Sequence, residues 1–281
     1  MNSERTLAAA ASARVATPDL GFEARALDPS PAFWFAMFAA SALGTVLGDF
    51  WAEGLRLGLV LSFGSLVVIS ALLIFGDMRM GRKTEAFYWL AIVVLRAGAT
   101  NVGDGLIHIL GLTLAIASLV TGVATLAAGY FTIPPSAAAP SPRIDLRYWG
   151  AMFLGGVFGT VAGDLAAHSL GMFPALLALG VALIVVIVTR SLIAPTAMVG
   201  YWCIVLAERA AGTPAGDWFA SRRGLGLGLP IALACTGAVL LMALWVYGRT
   251  KRPAREGRRV SNSPPKTPPS ASASPPPCWR R

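Results

Sequence analysis

The chain has 281 residues, of which 56% are hydrophobic and only 13% are charged. A typical soluble domain carries about a quarter charged residues, so this composition excludes an ordinary water-soluble protein. The net charge of +9 would suggest nucleic-acid binding in a soluble protein. Here most of that charge lies outside the apolar segments, and no nucleic-acid partner is expected. The three cysteines lack CxxC spacing and indicate neither a disulfide framework nor a zinc site.

The two ends of the chain are predicted to lie outside the membrane domain. Residues 1–31 have no apolar core long enough for a secretory signal and are predicted to form a flexible cytoplasmic leader. Residues 249–281 are basic and then rich in proline and serine, a composition that cannot bury a core. We therefore predict a membrane domain over residues 32–248 and a disordered cytoplasmic tail from residue 249.

One pattern occurs four times in the membrane domain. A tryptophan is followed eleven residues later by a threonine, and four residues after that by an aspartate preceded by glycine. No copy needs a gap, so we interpret the pattern as four tandem repeats. The three positions are Trp34, Thr45 and Asp49 in copy one; Trp89, Thr100 and Asp104 in copy two; Trp149, Thr160 and Asp164 in copy three; and Trp202, Thr213 and Asp217 in copy four.

Each copy contains two apolar segments long enough to cross a hydrocarbon layer of about 30 Å. The sequence therefore predicts an all-α integral membrane protein with about eight transmembrane helices. In chain order, the repeats cover about 32–78, 86–132, 147–192 and 198–248. The helix pairs are expected near 32–53 and 57–76, 86–107 and 110–131, 147–168 and 171–190, and 198–219 and 225–247.

These features resemble a family of bacterial membrane proteins of unknown function that is defined by four tandem repeats, each with two transmembrane helices and a characteristic tryptophan. The resemblance covers nearly all of 33–247, and the four repeat tryptophans match the characteristic one. A GT-xx-GD element fits the same frame in copies one, three and four, whereas Ala99 precedes Thr100 in copy two. The resemblance implies fold and topology, but the family brings no established activity.

Positive charge predicts the orientation of the chain. Lysine and arginine are concentrated between the copies and after the last one, whereas the turns inside the copies hold only Arg56, Arg222 and Arg223. Because such charges mark the cytoplasmic side, both termini are predicted to be cytoplasmic, in the bacterial cytoplasmic membrane. Every copy then enters the membrane in the same sense, which makes the repeats parallel.

Ionisable residues are concentrated in the first helix of each copy. At 1.5 Å per residue, each aspartate lies about 22 Å beyond its tryptophan, so we place the tryptophans in the inner aromatic belt and the aspartates in the outer third of the hydrocarbon. Arg96 and Arg209 follow their tryptophans by seven residues, where copies one and three have Ser41 and Gly156. Because charged groups that face lipid are costly, the first helices are expected to line a polar interior and the second helices to face lipid.

Four aspartates at one depth suggest a cation site or a proton relay. The alternative is a structural cluster, in which Asp104 and Asp217 neutralise Arg96 and Arg209 while the other aspartates cap helix ends. Glu208 is either an acid special to copy four or a partner for Arg96, and adjacent residues such as Glu208 and Arg209 need not pair with each other.

The residues four positions after the aspartates share a helical face with them. His108 and His168 could therefore bind a divalent metal together with Asp104 and Asp164, or transfer protons. The equivalent positions in copies one and four are Glu53 and Ser221, so the set is incomplete.

Glycine and proline suggest how the first helices pack. GxxxG spacing favours close approach of helix backbones in a membrane, and Pro214 predicts a kink or break in copy four. The GxxxG pairs are Gly44 with Gly48, Gly159 with Gly163 and Gly212 with Gly216.

The leading functional interpretation is a transporter or permease for a small cation, with a proton-coupled divalent metal as one candidate. The four aspartates would bind the cation, the two arginines would balance charge and the four threonines would be secondary ligands. The alternative is a non-transporting membrane sensor or anchor that contacts anionic lipid or an acidic partner through its basic tail. No HExxH or GxSxG motif occurs, so the sequence does not predict an enzyme. It identifies no cofactor beyond a bound cation.

Overall fold

The computed structural model describes residues 29–80, 85–132, 142–193 and 198–261. Within these ranges the chain forms eight α-helices and no β-strand, which confirms the predicted all-α class. A π-helical turn, Phe50–Gly54, continues the first helix. The helices are α1 (Pro31–Asp49), α2 (Gly58–Met80), α3 (Ala86–His108), α4 (Leu114–Tyr130), α5 (Leu146–Leu170), α6 (Met172–Ile193), α7 (Met198–Ala220) and α8 (Gly228–Ser261).

Six helices of the described chain are long and apolar enough to cross a membrane: α1 with its π turn, α2, α3, α5, α6 and α8. The chain is therefore a multi-pass membrane protein by the length and composition of its helices. Helix α4 is apolar but shorter, at 17 residues. Helix α7 lies outside the set of six and carries Glu208, Arg209 and Asp217.

The helices fall into two classes by burial. The apolar windows of α1, α3 and α5 are 67%, 56% and 50% buried, against 17%, 11% and 22% for α2, α6 and α8. Helix α7 also belongs to the buried class, since most of its residues from Tyr201 to Gly216 are buried. We call α1, α3, α5 and α7 the inner helices and α2, α4, α6 and α8 the outer helices. Apolar side chains of the outer helices, such as Val60 and Leu119, are exposed on the surface that lipid would cover.

The inner helices form a closed ring. Helix α1 contacts α3, α3 contacts α5, α5 contacts α7, and α7 contacts α1. Each outer helix packs mainly against the inner helix that follows it in the chain: α2 against α3, α4 against α5, and α6 against α7. The last outer helix, α8, packs against α1 and so completes a cyclic outer layer.

Glycines allow the inner helices to approach closely. A Cβ added to Gly44 would lie 2.6 Å from the Cβ of Arg96, and one added to Gly159 would lie 2.6 Å from the backbone of Arg209. Such separations are too short for a real side chain, so glycine is required at these contacts between α1 and α3 and between α5 and α7. This geometry agrees with the packing role expected from the GxxxG spacing.

The inner helices run parallel to one another. Near their N-terminal ends, the hydroxyl of Tyr148 lies 2.7 Å from that of Tyr88 and 3.3 Å from that of Tyr201. Twelve residues further along each helix, the repeat threonines also meet, around one guanidinium. Because equivalent positions meet at two separate levels, the inner helices point in the same direction.

The repeat tryptophans lie inside the bundle, so the prediction of an aromatic belt is wrong for these residues. Trp34, Trp89, Trp149 and Trp202 are only 2%, 6%, 2% and 1% exposed. Each packs edge-on against the aromatic residue that precedes it, with ring centroids 5.1–5.5 Å apart. Neighbouring aromatic rings cover the indoles from several sides, which leaves no face for the lipid interface.

Helix α7 continues through Pro214 without the predicted break. Proline cannot donate a hydrogen bond to the carbonyl of Ala210, four residues earlier. That carbonyl oxygen lies against α5, only 2.9 Å from where a Cβ on Gly163 would stand. We attribute the continuity of α7 to this close packing against α5.

Helix α8 extends to Ser261, so the predicted start of a disordered tail at residue 249 is too early. A segment that cannot bury a core can still extend an existing helix, because extension requires no new nucleus. Lys251 also forms an ion pair with Glu85, with Nζ and Oε1 2.7 Å apart, which joins this extension to the start of α3. Most of the predicted leader, 1–28, and the rest of the tail, 262–281, lie outside the described residues.

The close packing of α5 against α7 predicts that adding a single methyl group at Gly159 destabilises the protein. Gly159→Ala should lower the free energy of unfolding by about 1–3 kcal/mol, because the added methyl group meets the backbone of Arg209. Gly150→Ala is the matched control on the same helix, since a Cβ there meets nothing within 4 Å. Thermal unfolding in detergent, followed by circular dichroism, should show a lower Tm for the first variant only. Equal Tm values would contradict the packing described here.

Candidate functional site

A cavity of about 580 Å³ lies at the C-terminal ends of the inner helices. The four repeat aspartates are half-buried, whereas the four repeat threonines are buried and Glu53 and His108 are exposed. The cavity therefore leads from exposed groups at its mouth, past the aspartates, to a buried floor. The polar residues that line it include Asp49, Asp104, Asp164, Asp217, Thr45, Thr100, Thr160, Thr213, Glu53 and His108.

The cavity lining is rich in acidic side chains. Five carboxylates line it, those of the four aspartates and Glu53, against one arginine, Arg222. The sequence predicted that the aspartates would share one depth, and the structure places all four around one cavity.

A single guanidinium, that of Arg96, lies at the buried end of the cavity. We call the four repeat threonines that surround it the threonine ring. Every N–H group of the guanidinium points at a hydroxyl oxygen, so this one side chain links all four inner helices. Nη1 donates to Thr100 at 2.8 Å and to Thr160 at 2.9 Å, Nη2 donates to Thr45 at 2.9 Å and to Thr213 at 2.7 Å, and Nε donates to Ser41 at 3.3 Å.

These bonds explain how a charged group is tolerated at 1% exposure. A buried charge is costly unless its hydrogen-bonding capacity is used, and five hydroxyl acceptors use that of the guanidinium. The structural alternative considered from sequence, direct neutralisation of Arg96 by an aspartate, is not what the described residues show. The hydrogen bonds of Arg96 go to hydroxyl groups, and the aspartates stay on the cavity wall.

Two of the residues predicted to bind a cation or a proton lie outside the cavity lining. His168 is exposed at the end of α5, and Glu208 is fully buried in α7. His108 lines the cavity together with Asp104, but no three His, Cys, Asp or Glu side chains within the described ranges form a group that could hold a metal ion. The Asp and His ligand set considered from sequence is therefore not assembled here.

Glu208 pairs with its neighbour Arg209, although adjacent residues of a helix need not pair. Nε of Arg209 lies 3.4 Å from Oε2 of Glu208, and the two side chains are 1% and 0% exposed. Neither oxygen of Glu208, nor Nε or Nη1 of Arg209, has a hydrogen-bond partner among the described residues. Charge attraction in a buried setting therefore brings the two side chains together without an aligned hydrogen bond.

Sequence reasoning missed three features of the site. The threonines were treated as secondary ligands, although their constant spacing from tryptophan was the signal that they converge at one level. The role of Ser41 as acceptor for Nε of Arg96 had no sequence signal, because only the packing of α1 on α3 brings the two together. The π turn after Asp49 was also unforeseen; such turns are frequent at functional sites, and this one carries Glu53 to the cavity mouth.

One family match supports the repeat interpretation. Residues 200–253, which cover nearly all of α7 and most of α8, match the family described as Repeat of Unknown Function (DUF347). No curated protein and no solved structure matches the chain. This segment is thus similar to a repeat without an assigned activity, and any function must be argued from the site itself.

The threonine ring predicts a specific loss of stability. Thr213→Val should lower the free energy of unfolding by about 1.5–3 kcal/mol, because a charged donor loses its 2.7 Å acceptor. Thr236→Val is the matched control: this threonine is also buried, but its hydroxyl donates only to carbonyls of its own helix. The control should lose less than about 1 kcal/mol. Similar Tm decreases for the two variants in detergent would argue against a special role of the ring.

Proposed function

We propose that this protein is a permease of the bacterial cytoplasmic membrane that admits a small cation through the acidic cavity. One observation carries the proposal: all four repeat aspartates line a single cavity that ends at the threonine ring. Five carboxylates against one lining arginine attract cations and repel anions, as rings of acidic side chains do in cation pathways. The threonine hydroxyls would act as secondary ligands at the floor.

We further propose that all eight helices cross the membrane as four parallel two-helix repeats. The cyclic contacts of the inner and outer helices support this arrangement, as does the recurrence of tryptophan, threonine and aspartate along each inner helix. The charges of α7 lie inside the ring or face the cavity, so they are not exposed to lipid. Helix α4, with 17 residues, is at the lower limit of length for a span.

Charge distribution supports an orientation with both termini in the cytoplasm. In that orientation, the cavity faces away from the cytoplasm, because it lies at the ends of the inner helices opposite to their N-termini. The cytoplasmic end is then closed by the buried tyrosines and tryptophans, with Tyr88, Tyr148 and Tyr201 joined through their hydroxyls. This form would correspond to the outward-facing state of a permease.

The cavity favours a cation that keeps its water shell or carries organic substituents. A volume of about 580 Å³ is that of a small-molecule site rather than of a bare ion. The carboxylates line a wall, and the described residues offer no three-ligand metal group. A divalent metal would therefore enter as a hydrated ion, with the aspartates available to exchange protons.

A separate observation favours a second candidate, a non-transporting membrane sensor or anchor. Helix α8 continues to Ser261, and 249–261 contains six lysine and arginine residues and one glutamate. A basic helix that leaves the membrane on the cytoplasmic side would bind anionic lipid headgroups. Deletion of 250–281 would abolish an anchoring function and leave permeation intact.

Cation flux tests the permease directly. Purified protein in lipid vesicles should accumulate a probe cation, with protons, Mn²⁺ and methylammonium assayed separately. Asp104→Asn combined with Asp164→Asn should lower uptake at least about tenfold, because two of the attracting carboxylates are lost.

The control for the flux assay is Asp145→Asn, outside the cavity. Asp145 caps the start of α5 by accepting from the backbone N–H of Tyr148, and asparagine caps helices equally well. Its uptake should match the wild type. If no probe cation enters wild-type vesicles faster than protein-free vesicles, the permease proposal is lost and the anchor remains.

Reporter fusions test the proposed orientation. A fluorescent protein that matures only in the cytoplasm should be bright when fused after residue 261. A periplasmic phosphatase should be active when inserted in the turn between α7 and α8, at Arg223, and inactive when inserted at residue 195. The reverse pattern would place the cavity mouth on the cytoplasmic side and overturn the proposed orientation.

A further inference from the structure

Two arginines occupy equivalent positions on opposite sides of the inner ring. Arg96 on α3 and Arg209 on α7 each lie four residues before a ring threonine. Because the ring order is α1, α3, α5, α7, helix α3 lies opposite α7. Each arginine packs closely against a glycine of the preceding inner helix: Arg96 through its Cβ against Gly44, and Arg209 through its backbone against Gly159.

Only one of the two arginines engages the threonine ring. Arg96 donates to all four ring hydroxyls, as described above, whereas no ring hydroxyl accepts from Nε or Nη1 of Arg209. A second guanidinium in the ring would lack acceptors and would repel the first at close range. The two side chains therefore compete for one set of acceptors. Some difference between their surroundings must favour Arg96 in the ring.

The surroundings of the two arginines differ at two positions. Nε of Arg96 donates to Ser41, whereas the residue that corresponds to Ser41 in copy three is Gly156, which has no side-chain acceptor and lies against Ala99 and Arg96. Conversely, Glu208 stands next to Arg209 with its carboxylate 3.4 Å from Nε, whereas Leu95 precedes Arg96. Ser41 thus favours Arg96 in the threonine ring, and the Glu208 carboxylate attracts Arg209 away from the ring.

We propose that Glu208 is a positioning residue that holds Arg209 off the threonine ring and so makes Arg96 its single occupant. Glu208 is fully buried, its oxygens form no aligned hydrogen bond among the described residues, and its carboxylate lies 3.4 Å from Nε of Arg209. Without this carboxylate, Arg209 would gain free energy by moving to the ring hydroxyls. The inference adds to the proposed function by fixing which charge stands at the cavity floor.

Double-mutant cycles on thermal unfolding in detergent test this assignment. Thr45 is the suitable ring partner, because its helix α1 neighbours both α3 and α7. In the wild type, Arg96→Gln and Thr45→Val should be non-additive by about 2–4 °C in Tm, whereas Arg209→Gln and Thr45→Val should be additive.

Replacing Glu208 should redistribute the coupling. In a Glu208→Gln background, the coupling of Arg96 to Thr45 should fall at least by half, and coupling of Arg209 to Thr45 should appear. Exchanging the two positions, with Leu95→Glu and Glu208→Leu together, should move the coupling to Arg209. If the exchanged variant does not fold, the Glu208→Gln cycle alone decides.

Two controls separate positioning from a general effect on stability. Glu208→Asp keeps the carboxylate and should retain the wild-type coupling pattern. Glu53→Gln removes an exposed carboxylate at the cavity mouth and should also leave the pattern unchanged. Coupling that stays wholly with Arg96 in the Glu208→Gln background would overturn the proposal. The measurement involves no transport, so its failure and the failure of cation flux are distinguishable.

Discussion

The hydrogen bonds between the Arg96 guanidinium and the threonine ring connect all four inner helices at one level. A guanidinium has its N–H groups in one plane, and here each Nη serves two helices. The inner helices must then be parallel, equally deep and close together, which is why glycines recur at their contacts. Removing the charge would leave four buried hydroxyls without a common partner, and removing a hydroxyl would leave a buried charge underbonded.

The same arrangement determines the electrostatics of the cavity. Because Arg96 donates all its hydrogen bonds to neutral hydroxyls, it does not pair with the aspartates. Their carboxylates therefore remain available on the cavity wall. An aspartate layer neutralised by arginines would have offered nothing to a cation. The proposed permease therefore depends on two separate sets of groups: hydroxyls bind the arginine, and carboxylates line the cavity.

The inner ring is nearly symmetric, so the positions at which its four copies differ are informative. The residues four positions before the ring threonines are Ser41, Arg96, Gly156 and Arg209, so two cations alternate with two small residues around the ring. A fully symmetric ring with four arginines would not bury its charge, whereas one arginine suits four hydroxyls. The second arginine requires its own counter-charge, and Glu208 is the carboxylate beside it.

The sequence alone determined the all-α membrane class, the recurrence of tryptophan, threonine and aspartate, and the placement of charge in the inner helices. These follow from local rules: apolar length against membrane thickness, and constant spacing along a helix of fixed rise. The prediction that the aspartates share a depth needed nothing more than their equal distance from the tryptophans.

Only the tertiary structure decided which residues the arginines contact and where the tryptophans lie. Which side chains on different helices meet depends on the order of the helices around the ring and on side-chain rotamers. The spacing of residues along one helix determines neither. The tryptophans turned inward because neighbouring aromatic residues covered them, and Arg96 turned to the threonines because the ring put four hydroxyls within its reach. The adjacent residues Glu208 and Arg209 lie together in a buried setting, where opposite charges attract strongly.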